Sequence, residues 1–303
     1  MSVPAVTPEL PSAKWRVILS VLRRVPQGGL SRGFGRVADI EIPRALRPRV
    51  LGLFAGAVGI DLTEAELPLT EYRTINEFFV RRLRAGLRSW PADPNTAASP
   101  VDGIVGQLGR IGSGELLQAK GRRYTAASLL DDAEEARRYD GGFFMTIYLS
   151  PRHYHRIHTP TAGEVAVARH VPGALLPVNA AAVQHMDNLF VRNERLITYV
   201  DGALGRVAIV AIGAYNVGRI SAAYDRDWSG ADGVGWVTNR RGVQAETRRY
   251  QPARPVKLGA EIMAFHLGST VVLLFEPHRA ELLSAMEPDL EVQVGQPMAR
   301  VPL

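Results

Sequence analysis

Beyond residue 100 the chain is divided into short apolar runs by glycine-bearing turns, and that texture admits few folds. Runs at 103–108, 143–149, 163–170, 196–200, 207–212, 261–265 and 271–275 are five to eight residues long. That length suits strands and is too short for most helices. The first 95 residues carry helical patterns instead. The expected class is therefore α+β: amino-terminal helices in 1–95, then a β-rich, sandwich-like core in 96–303.

In the amino-terminal part, Ser12 can cap a helix reaching about Val25, before Gln27-Gly28-Gly29. Trp15, Ile18, Leu19, Leu22 and Val25 fall on one face, and Arg16, Ser20, Arg23 and Arg24 on the other. A basic amphipathic helix with tryptophan on its apolar side suits a membrane interface; a surface helix packed on the core has the same pattern. Further helices are expected over 43–57 and 61–66. Thr74-Ile75-Asn76-Glu77 is a capping box, and Arg81, Arg82, Arg84 and Arg88 read as the solvated face of its helix. Residues 90–95 read as a linker, 126–139 as one helix, and 225–250 as a long mobile loop.

The formal charge is +6, and residues 1–50 carry all of it: nine basic against three acidic side chains. Such a segment points to an acidic surface, either membrane lipid or nucleic acid. The longest early apolar run, 50–60, falls well short of the roughly 20 residues that span a bilayer, so any membrane contact is expected to be peripheral. There is no cysteine, which excludes disulfides, thiolate nucleophiles and cysteine zinc sites, and fits a reducing compartment. Only Lys14, Lys120 and Lys257 are lysines. None sits at a hairpin tip, which argues against a lipoyl-type carrier despite glycine-valine strand openings at 99–105, 161–165 and 294–299.

The unusual polar step is Gly268-Ser269-Thr270, which opens the apolar run 271–275. Glycine leaves its carbonyl uncrowded. A following serine hydroxyl, once deprotonated, can attack that carbonyl and shift the amide to an ester. Elimination of the ester leaves a new chain headed by a pyruvoyl group, an electrophile suited to amino-acid decarboxylation. A plain turn has the same sequence. Three histidines lie in Arg152-His153-Tyr154-His155-Arg156-Ile157-His158. A helical turn would put His155 and His158 on one side. Metal binding, structural roles and acid–base catalysis are all open to them; the last is favoured because imidazole titrates near neutral pH. No carboxylate or further histidine nearby completes a metal set. Asp102, in a Pro-Val-Asp-Gly turn, supplies with His158 and Ser269 the parts of an Asp-His-Ser relay.

Several motifs occur in order: Thr74–Arg81, Ser99-Pro100-Val101-Asp102-Gly103, Ala119-Lys120-Gly121 with Tyr124, Tyr148–Arg152, Tyr154–His158, Val171-Pro172-Gly173, Asn188-Leu189-Phe190, Arg192–Arg195 and Leu267–Thr270. Together, over roughly 70–303, the chain closely resembles phosphatidylserine decarboxylases of the bacterial, membrane-associated type. The resemblance implies self-cleavage between Gly268 and Ser269 and a pyruvoyl cofactor made from Ser269. It implies Asp102 and His158 for maturation, and His155 for decarboxylation as proton donor. It further implies a heterodimer of chains 1–268 and 269–303, in which higher oligomers are open. The expected substrate is phosphatidylserine in anionic membranes, reached from the cytoplasmic side of the cell membrane, with no metal and no nucleic acid. His266 stands where that family more often has lysine or another polar residue. In an extended strand, positions 266 and 269 face opposite ways, so His266 is not expected to replace His158 as base.

Two rivals are a serine hydrolase and a binding module that uses only the basic segment. The first lacks the Gly-x-Ser-x-Gly elbow, since Leu267 stands two places before Ser269.

Overall fold

The structure is a computed structural model that describes residues 33, 35–119, 121–214, 219–229, 235–240, 242–266 and 269–302. The expected helix over Ser12 to Val25 lies outside the described residues.

A 3-10 turn at Arg44–Leu46 runs into α1 (Arg47–Val58), which stops where Gly59 turns left-handed at φ 79°. Another 3-10 turn, Leu62–Glu64, is capped by Asp61. Helix α2 (Ile75–Phe79) starts at Thr74, whose hydroxyl accepts from the Glu77 amide at 3.0 Å. Ile42, Leu51, Ala55, Ile60, Ala65, Tyr72 and Phe78 form a small core of their own beneath these turns.

The strands are β1 (Thr96–Ala98), β2 (Gly103–Arg110), β3 (Glu115–Ala119), β4 (Arg122–Thr125), β5 (Phe143–Leu149), β6 (Arg156–His158), β7 (Gly163–Val171) and β8 (Arg195–Gly202). They continue as β9 (Gly205–Ile212), β10 (Ile220–Ala222), β11 (Glu246–Val256), β12 (Glu261–Phe265), β13 (Ser269–Phe275), β14 (Glu281–Leu282), β15 (Glu291–Val292) and β16 (Pro297–Arg300). An eight-stranded antiparallel sheet has the order β11-β7-β8-β9-β13-β5-β2-β15. Both of its faces are covered, which is why its central strands are continuously apolar. On one face Val271, Leu273 and Phe275 join Met145, Ile147, Ile209 and residues of two small sheets, β10-β12-β6 and β1-β16-β14. On the other, Val272 and Leu274 meet the β3-β4 hairpin and short helices α3 (Ala126–Leu130), α4 (Ala133–Ala136), α5 (Ala180–His185) and α6 (Leu189–Arg192). The arrangement is α+β, as expected. Val271 to Phe275 are at most 1% exposed. Each such side chain contributes roughly 1.5–3 kcal/mol, so a charge at Leu273 would break the centre of the sheet.

Four local expectations need correction. The stretch 126–139 is not one helix: Asp131 turns left-handed at φ 52°, and Asp132 caps a new start at α4. The stretch 225–250 is not a loop throughout. It holds α7 (Arg226–Ser229) and the first part of edge strand β11, where Arg248 bonds Asp225 and Glu246 and lies over the Trp228 ring. Helix α2 stops at Phe79, so the arginines after it are not its solvated face; Arg81 is 1% exposed. Finally, His155 and His158 do not share a helical turn. Arg156–His158 is strand β6, and on an extended strand positions three apart face opposite ways.

Candidate active site

Asp102 sits in the bend between β1 and β2. Gly103 lets this bend press on β5, because a Cβ there would lie 2.7 Å from the Tyr148 carbonyl oxygen. The Asp102 carboxylate accepts from the Val294 amide at 2.8 Å. It also takes a two-pronged bond from Arg88, Nη2 at 2.6 Å and Nε at 3.2 Å. Arg88 Nη1 donates to Glu64 at 3.0 Å, so one guanidinium ties the Asp102 bend to the helical segment. Both carboxylates raise the Arg88 pKa against its burial.

His158 ends β6, and its backbone amide donates to the Pro100 carbonyl at 2.9 Å, alongside the Asp102 bend. Its Nδ1 lies 2.7 Å from the Gly259 carbonyl oxygen and its Nε2 2.9 Å from the Tyr154 hydroxyl. A carbonyl only accepts, so Nδ1 carries the hydrogen and Nε2 receives the tyrosine O–H. Burial lowers the His158 pKa, while the Gly259 carbonyl, Glu261 and Asp102 oppose the drop. The Trp90 ring packs on the imidazole with centroids 5.6 Å apart. Gly259, at φ 76°, makes room for that indole: a Cβ would fall 2.4 Å from it. Arg82, Arg84, Arg88, Trp90, Tyr154 and His158 line an open cleft of about 230 Å³.

The structure thus brings Asp102 and His158 within electrostatic reach but does not bond them to each other. Arg88 and Val294 hold the carboxylate; Gly259 and Tyr154 hold the imidazole. Ser269 is the first residue of β13, paired with Leu149 of β5. Gly268 and the Ser269 side chain lie outside what is described. His155 is fully buried, its ring 4.1 Å from that of Phe79. Its Nδ1 is 2.8 Å from the His153 carbonyl oxygen, and its Nε2 is buried without a partner. Burial, with the Arg81 and His153 charges, pushes its pKa down to about 3 against one favourable hydrogen bond, so the ring is neutral. The His155 carbonyl accepts from the Phe265 amide at 2.9 Å. The loop between Leu149 and His155 is therefore anchored to both ends of the segment from Phe265 to Ser269. His266 is tied up elsewhere, with Nδ1 3.1 Å from Asn76 Oδ1 and Nε2 3.1 Å from Ser221 Oγ.

Sequence reasoning missed three contributors. In sequence Arg88 reads as part of a solvated face and Trp90 as part of a linker, while Gly259 has no motif around it. Trp90 followed by a Pro-Ala-Asp-Pro turn is the one available hint, since a large aromatic is rarely spent on a solvated linker.

A family model described as phosphatidylserine decarboxylase matches residues 75–300. A phosphatidylserine decarboxylase proenzyme of Anaeromyxobacter sp. (strain K) is 44% identical over 93% of this chain and 98% of its own. Proteins of the same name from Myxococcus xanthus (strain DK1622) and Brevibacillus brevis (strain 47 / JCM 6285 / NBRC 100599) are 39% and 38% identical. These alignments cover 93% and 94% of this chain, and 97% and 98% of the respective relatives.

Proposed function

Because the chain belongs to the phosphatidylserine decarboxylase family, we propose that it is a carboxy-lyase proenzyme that cuts itself between Gly268 and Ser269. The reaction converts phosphatidylserine to phosphatidylethanolamine and carbon dioxide. The observation that carries the site reading is the register around the cut. Leu149 pairs with Ser269 and His155 with Phe265, so the loop bearing the histidines brackets the step that would break.

A pyruvoyl group made from Ser269 would supply the electron-accepting ketone that ordinary side chains lack. The surroundings fit it: Ser269 opens a core strand, and the bracketing loop ends in a buried imidazole nitrogen with no partner. For maturation His158 is the base, its lone pair at Nε2 held ready under the Tyr154 hydroxyl. That hydroxyl must turn aside or pass the proton along before Nε2 can serve serine. Asp102 acts on His158 through its charge, holding up a basicity that burial lowers. For decarboxylation His155 handles the proton at Nε2. It is neutral at rest, so it must gain that proton inside the closed site before giving it up.

The protein would act from a membrane surface. Among the described residues no helix is long and apolar enough to cross a membrane. The exposed large apolar side chains among them all fall between Val37 and Leu87, with Leu53 the most open at 76%. They are interspersed with Arg44, Arg47, Arg49, Arg73, Arg82 and Arg84, a composition suited to the anionic leaflet that presents phosphatidylserine. We place the enzyme there as a peripheral protein on the cytoplasmic side, working as the paired chains 1–268 and 269–303.

Intact-mass measurement on purified active protein tests this reading. It should give two masses, matching residues 1–268 and 269–303, the smaller with a ketone instead of an amino terminus. Active protein of a single uncut mass would sink it.

A further inference from the structure

Arg81 is 1% exposed, and its guanidinium makes one long bond, from Nη2 to the Arg152 carbonyl at 3.4 Å. Its Nε and Nη1 are buried without partners. Glu64 and Asp102, the carboxylates whose charges reach it, are both bonded by Arg88. Arg195 shows what a structural buried arginine looks like in this fold: its three nitrogens donate to the carbonyls of Leu129, Val191, Asn193 and Ser128. Burying a cation with its donors unmet is costly, and only the Phe78 ring face and the charges of Glu64 and Asp102 offset part of that cost.

Its neighbours share the pattern. The guanidinium lies 5.6 Å over the Phe78 ring, and the His155 imidazole rests on the next ring, Phe79. His155 Nε2 is likewise unpartnered, and the Arg81 charge reaches it. Arg152, whose carbonyl Arg81 touches, is in the loop that runs from the Ser269 partner Leu149 to His155. A bare cation and a bare imidazole nitrogen thus occupy the corner where the reacting group would form. Arg81 and His155 are both buried.

We propose that Arg81 receives the phosphodiester of the lipid headgroup and so sets the substrate beside His155, an inference that rests on the decarboxylase reading. The planar fork of arginine matches two phosphate oxygens. The substrate carboxylate is the poorer partner. It gives up its charge as carbon dioxide leaves, and a cation fixed on it would stabilise the ground state more than the transition state. The phosphodiester keeps its charge from substrate to product, so pairing with it strengthens binding without opposing the reaction.

The test uses processed full-length enzyme and dihexanoyl phosphatidylserine, with Arg81→Gln and Arg81→Lys. Arg81→Gln should raise KM about 100-fold with kcat within a few-fold of wild type, the scale of losing one partner of a buried charge pair. Arg81→Lys, which keeps charge but loses the fork, should fall between. Inhibition by dihexanoyl phosphatidylethanolamine, which has the phosphodiester and no carboxylate, should weaken in parallel with KM. Inhibition by L-serine, which has the carboxylate and no phosphate, should not change. A fall in kcat at constant KM, or serine inhibition weakened as much as that of the phospholipid, would overturn the assignment. If Arg81→Gln does not fold or process, the KM-against-kcat split in Arg81→Lys decides in the same sense. Wild-type turnover of the same substrate tests the decarboxylase reading separately.

Discussion

Replacing His266 by glutamine should make this fold more tolerant of acid. His266 is half-buried between Asn76 and Ser221, and desolvation, helped by the Arg219 and Arg156 charges, pushes its pKa from 6.5 to about 3. The folded protein therefore holds the ring neutral, while the unfolded chain protonates it at its ordinary value. Below pH 6.5 the unfolded state binds one more proton at this site. The stability is complete above 6.5 and is lost as pH falls toward 3. At about 1.4 kcal/mol per pH unit, one such ring costs about 2 kcal/mol between pH 7 and pH 5. Glutamine does not titrate and so lacks this loss. Its weaker hydrogen bonds to Asn76 and Ser221 lower stability about equally at both pH values. The assay is urea unfolding followed by circular dichroism at pH 7, 6 and 5, in a Ser269→Ala background that keeps the chain whole. The gap between the two proteins should close by about 2 kcal/mol from pH 7 to pH 5. A gap that stays constant with pH would refute the claim that burial holds His266 neutral.

His158→Ala should leave the proenzyme uncut on a denaturing gel, and cutting there would remove His158 as the base; Tyr154→Phe, which uncovers the Nε2 lone pair, should still cut if the hydroxyl turns aside, and its arrest would mean that the hydroxyl passes the proton along. His155→Ala should cut at least in part yet fail to release carbon dioxide from phosphatidylserine, and identical behaviour of the two histidine variants would undo the division of roles. Leu53→Glu should weaken sedimentation with anionic vesicles without changing urea stability, because the side chain is 76% exposed. Removing residues 1–30 should weaken that binding further and reduce its salt sensitivity, since that stretch carries four basic side chains against one acidic. Binding that ignores both changes would place the membrane contact on another face.

How much could be read in advance depended on whether a residue's surroundings were local. The seven runs read as strands are strands, and 143–149 and 261–265 keep their ends without change. The signal is strong there because burial on both faces makes nearly every position apolar, Thr146 and Glu261 excepted. Strand β11 was invisible for the opposite reason: an edge strand with one open side carries Arg248, Arg249 and Arg254, and reads as a polar loop. The left-handed turn at Asp131 left no mark in a helical pattern that resumes directly after it. Within the site, Asp102, His155, His158 and Ser269 stood out through motif and chemistry. The positions that hold them did not. Arg88 meets Asp102 from 14 residues away and Arg81 meets Arg152 from 71, while Gly259 reaches His158 across 101. Such contacts exist only once the chain has folded.

Strand β13 lies between β9 and β5 in the middle of the large sheet. If the cut falls before Ser269, that strand becomes the leading end of a separate 35-residue peptide (303 − 268 = 35), which also carries β14, β15 and β16. Peptides below about 40 residues seldom fold alone, and the larger piece would be left with a gap through its core. Folding would therefore have to be finished before cutting, while the sequence is still continuous. Once cut and then unfolded, the two pieces would have lost the covalent connection that first brought β13 between its neighbours. The mature enzyme would persist because unfolding is slow, and its durability would be measured as a half-life instead of an equilibrium constant.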